Sequence, residues 1–405
     1  MADTGREPKP APDFMALRRD IHQHPELGYS EHRTSALVAD CLREWGYQVE
    51  TGIGKTGLVA TLVRGSGQRR LGIRADMDAL PIQERTGLPW ASVRAGVMHA
   101  CGHDGHTATL LSAAWHIAHD VEFDGTLHLI FQPAEEGGGG ARAMIDDGLF
   151  ERFPCDAVFA LHNMPGVEQG RLQFREGPAL ASSDQIIITL RGTGGHGAIP
   201  HEANDPVVVA AALVMSLQTV VSRNVDPLQS GVVTVGSIQA GQAANVIPGE
   251  AVLKVSVRAL DRAVRTMLLE RIETLTKGHA QSFGMEAQVS QVTSEGYPVL
   301  VNTPIATDFA RQVAVELLGE SKVECAAPRM NSEDFAFMLE KIPGCYFFIG
   351  NGDGGDGNVH GACMVHNAGY DFNDANIEAG SRYWVLLVQR FFGDARFNPE
   401  PSEQP

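Results

Sequence analysis

The apolar residues of the N-terminal part follow a helical period first and a strand-like pattern afterwards. Between Asp13 and Trp45 they recur with the helical period, and the segment 24–28 (His-Pro-Glu-Leu-Gly) interrupts them, which predicts two helices joined by a turn. Short runs of β-forming residues follow at 57–63, 71–74 and 126–132, with a helical pattern at 106–118. This alternation predicts an α/β domain with parallel strands.

The pattern changes near Ala181, where a second set of elements begins. The predicted order is strand, helix, strand, strand, helix and strand. The segments are 185–191, 206–223, 231–239, 251–259, 264–283 and 287–293. This βαββαβ order makes a complete ferredoxin-like unit. Because α/β alternation resumes afterwards, we predict a domain inserted at 183–293 into a larger domain formed by 13–182 and 294–395.

Composition narrows the classes of partner. The formal net charge is -17, so no basic face is available to neutralise nucleic-acid phosphates. Residues 1–13 lack the apolar core of a secretory signal, and no stretch reaches the ~18 apolar residues of a membrane span. The six cysteines are too scattered for a disulfide framework. We therefore expect a cytoplasmic protein with neither a membrane nor a nucleic acid as its partner.

Metal-binding residue types crowd into one short segment. Residues 98–106 contain three histidines, one cysteine and one aspartate. Cys101 and His103 precede a predicted helix, where the short spacing lets both side chains reach one point and the helix N-terminus favours a thiolate. Asp104 could orient a ligating imidazole. A structural thiol beside a helix cap is the alternative, although the neighbouring histidines favour a metal site.

Further candidate ligands follow apolar, strand-like runs. Glu135 and Glu136 come after one such run and His162 ends another, while His366 precedes a predicted helix. In α/β sheets the carboxyl ends of strands usually carry the active site. One of two adjacent carboxylates can bind metal while the other serves as general base. An exposed acidic turn and a hydrogen-bonded polar histidine are the alternatives for these residues taken singly.

The chain resembles a known family through seven ordered motifs, which together span roughly residues 14–392. The family is that of metal-dependent amidohydrolases containing hippurate hydrolase, bacterial aminoacylases and plant indole-acetyl-amino-acid hydrolases. The motifs are Arg74-Ala75-Asp76-Met77-Asp78-Ala79-Leu80-Pro81, residues 98–106, Pro133-Ala134-Glu135-Glu136, Gly194-Gly195-His196-Gly197-Ala198 with Pro200-His201, Asn245-Val246-Ile247-Pro248, Ser332-Glu333-Asp334-Phe335 and Val365-His366-Asn367.

This resemblance implies a zinc-exopeptidase-like catalytic domain, with a mixed, largely parallel sheet flanked by helices, and an inserted lid and dimerisation domain. It implies two divalent metal ions per subunit (zinc, manganese, nickel or cobalt), at the spacing of about 3.5 to 4 Å typical of two-metal hydrolases. The implied reaction is cleavage of the amide bond of N-acyl or N-aroyl amino acids by a metal-activated water, with Glu135 as general base. The implied metal ligands are Cys101, His103, Glu136, His162 and His366.

The resemblance also assigns roles to the inserted domain. It implies that His196 stabilises the oxyanion in a neighbouring subunit's active site, and that Asn245 and Arg258 hold the substrate's carbonyl and carboxylate groups. It implies a homodimer or homotetramer formed through this domain. From the residues alone, the glycines around His196 fit a flexible turn equally well, and Arg258 fits a surface charge.

Some alternatives stay open at this point. In the wider superfamily a metal-binding histidine precedes an aspartate by two residues, whereas here Asp76 precedes Asp78, so contact between Asp76 and metal is an open question. A dipeptidase or carboxypeptidase, an aromatic-amine aminohydrolase and a non-catalytic binding protein with the same fold are the competing functions. The acyl group, the amino acid, the stereochemical preference and the native metal are not fixed by the sequence.

Overall fold

The computed structural model describes residues 10–292, 296–355 and 357–397, and these form two compact units. The first contains the described residues up to Glu176, together with Asn302–Ala326 and those from Phe337 onwards. The second contains the described residues of Gly177–Val301 together with Ala327–Ala336. The predicted boundary between residues 293 and 294, like the first nine residues, lies outside the described residues, and the domain boundaries stay a prediction.

The helices and strands alternate along most of the chain. In chain order the helices are α1 (Phe14–Gln23), α2 (His32–Glu44), α3 (His103–Asp120), α4 (Gly140–Asp146), α5 (Leu149–Arg152), α6 (Pro206–Asn224), α7 (Arg262–Ser282), α8 (Pro304–Leu318), α9 (Ala336–Leu339), α10 (Val359–Ala362) and α11 (Ala375–Phe391). The strands are β1 (Gln48–Ile53), β2 (Gly57–Arg64), β3 (Arg70–Asp76), β4 (Gly125–Gln132), β5 (Ala157–Pro165), β6 (Leu172–Phe174), β7 (Gly177–Leu180), β8 (Asp184–Arg191), β9 (Gly195–His196), β10 (Gly231–Ala240), β11 (Val246–Ile247), β12 (Glu250–Ala259), β13 (Glu286–Gln291), β14 (Leu300–Asn302), β15 (Val323–Cys325) and β16 (Gly344–Gly352).

The first unit is built on a mixed sheet with the strand order β1-β2-β4-β3-β5-β16-β6-β15. Its centre is parallel, because β3 pairs in parallel with β4 and with β5, and β5 pairs in parallel with β16. The pairs β1/β2, β2/β4 and β16/β6 are antiparallel. The predicted mixed α/β fold, with a largely parallel centre, is confirmed.

Helices cover the sheet, and its central strands are buried along nearly their whole length. Ile73, Leu129 and Phe159 on adjacent parallel strands are fully buried, as expected for strands packed on both faces. Helix α3 packs against β3 and is itself contacted by α1, α2 and α11. The first turn of α3, which begins at His103, is thereby held rigidly next to the carboxyl end of β3.

The parallel register gathers the chemistry at one edge of the sheet. Strand β3 ends at Asp76, which pairs with Gln132 at the end of β4. Glu135 and Glu136 follow β4 directly, and His162 lies in the last half of β5. The carboxyl ends of parallel strands meet at the same edge, so the predicted ligands from distant parts of the sequence lie close together.

The second unit has the βαββαβ order that the sequence predicts. Its antiparallel sheet has the order β10-β12-β8-β13, and α6 and α7 pack against it. Strand β12 alternates buried and more exposed residues, as a sheet covered on one face requires. The predicted last strand ran to Thr293, which lies outside the described residues, and the described strand ends at Gln291.

Among the described helices, α6 is long and apolar enough, by length and composition, to cross a membrane. The expectation that no segment would qualify came from continuous apolar runs, and Ser216, Gln218 and Thr219 interrupt this one. In the structure Leu213 and Leu217 of α6 are fully buried in the core of the second unit. Helix α6 therefore packs one face against the core of that unit and leaves other apolar side chains exposed.

Candidate metal centre

The predicted metal ligands of the first unit lie in two overlapping groups. The ligand atoms of Cys101, His103 and His162 are all within 4.8 Å of one another, and those of Cys101, Glu136 and His366 meet the same limit. Cys101 Sγ lies 3.4 Å from His162 Nε2, and His366 Nε2 lies 3.0 Å from Glu136 Oε1. The structure thus brings the five predicted ligands together with Cys101 common to both groups, and their role as ligands stays a prediction.

The turn between Cys101 and His103 depends on Gly102. This residue caps the N-terminus of α3 with φ of 92°, a conformation that other residues rarely adopt. A Cβ at this position would clash with Asn163 Nδ2 and with Tyr370 Oη. Only glycine therefore lets the thiol and the imidazole on either side of it face the same point.

His366 reaches the site from a different kind of backbone. Its φ is 63°, in the left-handed region, and its backbone N–H donates to the carbonyl oxygen of Ala100 at 2.7 Å. Its side chain is 51% exposed, whereas those of Cys101 and His103 are buried. One side of the site is therefore open to solvent within this unit.

His103 has the environment of a metal ligand. Its Nδ1 is 3.2 Å from Asp78 Oδ1, whereas its buried Nε2 has no hydrogen-bond partner in the described part of the chain. Burial by itself lowers the pKa of His103, but the charge of Asp76 and the hydrogen bond with Asp78 raise it to about 10. A carboxylate on one ring nitrogen commonly orients a metal-binding imidazole, so the unpaired Nε2 fits a cation.

His162 is held in the other protonation state. Its Nδ1 donates to the carbonyl oxygen of Asn163 at 2.7 Å, which leaves the Nε2 lone pair facing Cys101 Sγ. Burial, with further contributions from the neighbouring His106 and His103, places the pKa of His162 well below its ordinary value. The neutral imidazole with a directed lone pair is the form that binds metal.

The Cys101 thiol is buried among negative charges. Burial first, and then the charges of Glu136, Glu135 and Asp76, raise the pKa of Cys101 well above its ordinary value. A bound cation reverses this balance, because a metal-coordinated thiol loses its proton. The combination of a thiol, imidazoles and a carboxylate suits several divalent transition metals, and the residues present fit such ions.

Asp76 is occupied by other protein groups. Its Oδ2 accepts from Arg74 Nη1 at 2.6 Å and its Oδ1 accepts from His106 Nδ1 at 2.7 Å. Through its Nε2, His106 accepts from the backbone and side-chain nitrogens of Asn163, each at 3.0 Å. Asp76 therefore acts through His106 on the backbone beside His162, a role that its position in the sequence did not indicate.

The prediction that Asp104 orients a ligating imidazole is wrong. Asp104 Oδ2 lies 2.8 Å from His22 Nδ1 and accepts from Arg18 Nη1 at 3.2 Å. Asp78 contacts His103 instead. Asp104 follows His103 on α3 and points to a different side of the helix, towards α1, which explains the error.

The histidines of the segment 98–106 divide into different roles. His103 faces the ligand cluster, His106 binds Asp76, and His99 is buried with neither ring nitrogen hydrogen-bonded within the described residues. Burial lowers the pKa of His99 to about 4, so this ring is neutral at physiological pH. Crowding in the sequence marks this segment but does not identify which of its imidazoles face the ligand cluster.

The predicted site residues of the second unit lie on exposed or half-exposed surfaces. Strand β9, which contains His196, pairs with β11, and the Gly197 N–H donates to the Asn245 carbonyl at 2.9 Å. The predicted residues His196 and Asn245 are therefore neighbours. Both side chains are exposed. Arg258 is half-buried, and its Nη1 donates to the Met330 carbonyl at 3.0 Å. Arg258 is thus anchored to the segment before Ser332 and is not an isolated surface charge.

Known proteins similar to this chain cover nearly its whole length. Hippurate hydrolase of Campylobacter jejuni is 45% identical over 380 residues, which cover 94% of this chain and 96% of the relative. N-acetyl-L-cysteine deacetylase of Bacillus subtilis is 41% identical over 338 residues, which cover 83% and 80%.

A solved structure and a family model agree with these relatives. The YXEP protein of Bacillus subtilis, described as a dinuclear metal binding peptidase, superposes with a TM-score of 0.79 at 30% identity and covers 94% of this chain and 97% of its own. Residues 72–390 match the model of peptidase family M20/M25/M40. The resemblance identified from the motifs is confirmed, and the chain belongs to the peptidase family M20/M25/M40.

Proposed function

We propose that this protein is a metal-dependent amidohydrolase that cleaves the amide bond of N-acyl or N-aroyl amino acids, releasing a carboxylic acid and a free amino acid. The observation that carries this proposal is the pair of ligand groups sharing Cys101, with Glu135 beside them. The names of the hippurate hydrolase and of the N-acetyl-L-cysteine deacetylase support an N-acyl amino acid as the substrate.

Two divalent cations are the proposed cofactors, held by Cys101, His103, Glu136, His162 and His366. When bound, such cations polarise the amide carbonyl and lower the pKa of a water molecule towards neutrality. Asp78 fixes the ring of His103, and the carbonyl of Asn163 fixes that of His162. These contacts hold the donor atoms in place before any ion arrives.

Glu135 is the proposed general base. The residue is 7% exposed, and one of its carboxylate oxygens lies within 4.8 Å of the ligand atoms of His103 and Glu136. In this position Glu135 takes a proton from the attacking water and later delivers it to the leaving amine nitrogen. The neighbouring Glu136 is left to act as a ligand, so the two adjacent carboxylates have separate tasks.

His196 is the proposed oxyanion donor, acting in the active site of a second subunit. Its Nδ1 accepts from the Ala198 N–H at 3.0 Å, so the ring proton is on Nε2, which is free to point outwards as a donor. One well-placed donor to a developing oxyanion lowers the barrier by roughly 3 to 4 kcal/mol. Asn245 and Arg258 are the proposed contacts for the substrate's carbonyl and carboxylate groups.

The second unit is the proposed site of assembly into a homodimer or homotetramer. Its helix α6 leaves Val208 and Met215 51% and 71% exposed, and Ile238 on the sheet-edge strand β10 is 51% exposed. Large apolar side chains left in water on adjacent elements favour a protein–protein contact. We also propose a cytoplasmic location, because the six cysteines are free, as is typical of proteins in a reducing compartment.

A substrate panel tests the proposed reaction. Metal-loaded protein should release free amino acid from hippurate and from N-acetyl amino acids, measured by amine detection, and should act far more slowly on dipeptides. Preference for dipeptides would favour a dipeptidase or carboxypeptidase, and release of an aromatic amine from an amine-bearing ring would favour an aminohydrolase. Failure to cleave any amide after loading with zinc, manganese, cobalt or nickel would contradict the proposal.

A further inference from the structure

The turn that carries Glu135 and Glu136 has a strained start. Residues 133–137, here named the catalytic turn, follow β4 directly. Ala134 has φ of 49°, in the left-handed region that alanine rarely adopts. Such a conformation persists only where the surroundings determine it. The position of Glu135 therefore depends on whatever holds Ala134.

Glu31 holds Ala134 from a distant part of the chain. Its Oε1 accepts from the Ala134 N–H at 2.8 Å, and its Oε2 accepts from the Thr56 hydroxyl at 2.6 Å. The Glu31 side chain is completely buried. Both carboxylate oxygens are thus committed, one to the catalytic turn and one to the start of β2.

The Glu31 carboxylate does not cap the helix that it precedes. Glu31 stands at the N-cap of α2, where an acidic side chain commonly accepts from the first helical N–H groups. Its side chain makes no such cap hydrogen bond. Glu26 takes that task, because its carboxylate accepts from the N–H groups of Arg33 and Thr34.

A second carboxylate holds the other side of the catalytic turn. Asp78 Oδ2 accepts from the Glu136 N–H at 2.9 Å, while its Oδ1 contacts His103. The backbone amides immediately before and after Glu135 are therefore both bound by buried carboxylates. Gly28 packs closely against the turn, since a Cβ there would lie 3.0 Å from Ala134 Cα.

We propose that Glu31 is a positioning residue for the reaction, which fixes Ala134 in its left-handed conformation and thereby aims Glu135 and Glu136 into the site. The proposal rests on the proposed function only for the role of Glu135. Glu31 touches neither substrate nor metal in this account, and it acts through the backbone. Thr56 shares this task by fixing the second oxygen of Glu31.

Matched leucine variants separate positioning from stability. Glu31→Leu removes the acceptor for the Ala134 N–H, and Glu26→Leu removes another buried carboxylate, which caps α2 in the same segment. We expect Glu31→Leu to lower kcat by about tenfold to a hundredfold with little change in KM, because small displacements of a reacting group have effects of this size. Glu26→Leu should lower thermal stability with kcat nearly unchanged.

Conservative variants provide the rescue. Glu31→Gln keeps an acceptor oxygen for Ala134 and a donor for the Thr56 hydroxyl, so it should retain most of kcat. Thr56→Val removes only the second tether and should lower kcat less than Glu31→Leu does. If Glu31→Leu does not fold, the positioning role is still tested by kcat, which should decrease in the order wild type, Glu31→Gln, Thr56→Val. Equal kcat for all three would overturn the proposal.

Hydrogen exchange gives a readout that needs no substrate. The Ala134 amide should exchange about tenfold faster in Glu31→Leu than in wild type or Glu26→Leu, because its acceptor is lost. Chelator competition should show about tenfold weaker metal binding in Glu31→Leu, since Glu136 lies in the same turn. Unchanged amide exchange and unchanged metal affinity in Glu31→Leu would refute the positioning role. Failure of the wild-type protein to cleave N-acyl amino acids would refute only the proposed function, and these two measurements would still test the role of Glu31.

Discussion

The predicted site residues of the two units differ in how far each unit prepares them. In the first unit His103 and His162 are held by Asp78 and by a backbone carbonyl, and their free nitrogens converge near Cys101. In the second unit His196 and Asn245 are adjacent but their side chains are exposed. The predicted ligands of the first unit are thus fixed by contacts inside that unit, whereas the His196 and Asn245 side chains of the second unit face solvent.

The difference fits the roles proposed for the two sets of residues. Binding a cation with a sulfur, nitrogen and oxygen set requires fixed donor directions, which buried hydrogen bonds supply. Contacting a substrate or a second subunit requires side chains that still reach solvent. The predictions below test this division between a preorganised site and a recruited one.

Glu135→Gln should produce the largest effect. The amide keeps the size of the side chain but cannot take a proton, so we expect kcat to fall by about a hundredfold to ten-thousandfold. Metal content, measured by elemental analysis after dialysis, should stay at the wild-type value because Glu136 and the other ligands are intact. A variant with normal metal content and most of its turnover would show that Glu135 is not the base.

His196→Ala should lower kcat by about a hundredfold to a thousandfold, the effect of removing one oxyanion donor, and should leave metal content unchanged. If His196 acts in the partner's site, mixing this variant with Glu135→Gln should restore activity, because in a mixed dimer one site has both groups. The recovery is measured by subunit exchange followed by assays of hippurate cleavage, with each variant alone as control. If verified mixed dimers show no recovery, His196 either acts in the active site of its own subunit or takes no part in the reaction.

The pH dependence of metal affinity tests the preorganised ligands. The pKa of His103 is raised to about 10 and that of Cys101 lies above its ordinary value, so both groups carry protons that a cation must displace. Affinity should therefore rise with pH, by up to about a hundredfold per unit, between pH 6 and pH 8. Cys101→Ser should bind more weakly and show about a tenfold rise per unit. Chelator competition measures both slopes, and equal slopes would remove Cys101 from the ligand set.

The smallest expected effect concerns stability at high pH. Burial lowers the pKa of His22, but its contacts with Asp104 and Glu84 raise it to about 9. The protonated ring therefore stabilises the fold fully below its unfolded pKa of about 6.5, and this contribution is lost as pH rises through about 9. Urea unfolding of metal-free protein from pH 6 to pH 10 should show wild type losing on the order of 3 kcal/mol relative to His22→Gln. Parallel pH curves for the two proteins would contradict this.

The sequence predicts the parts of the molecule that depend on local patterns. The βαββαβ order and the strands ending near Asp76 and Gln132 follow from hydrophobic period. Glu136 and His162 follow from polar residues at the ends of apolar runs, and Cys101 and His103 from the cluster of ligand types before α3. The full set of five ligands, with His366, is what the family resemblance implies. These predictions needed no knowledge of which side chains touch.

The supporting contacts were beyond sequence reasoning. Glu31 and Ala134 are 103 residues apart, and neither has a local pattern that marks the hydrogen bond between them. Asp78 and Asp104 are both acidic residues near His103, and only the side of α3 from which each approaches separates their roles. Such choices depend on three-dimensional direction, which spacing along the chain does not carry.

The position of Cys101 in both ligand groups has a consequence for how the protein fills with metal. A first ion would remove the thiol proton, so a second ion would meet a sulfur that is already ionised. We expect loading to be cooperative, with half-filled molecules scarce during titration. Because Cys101 belongs to both ligand groups, oxidation of its sulfur would weaken the binding of both ions at once.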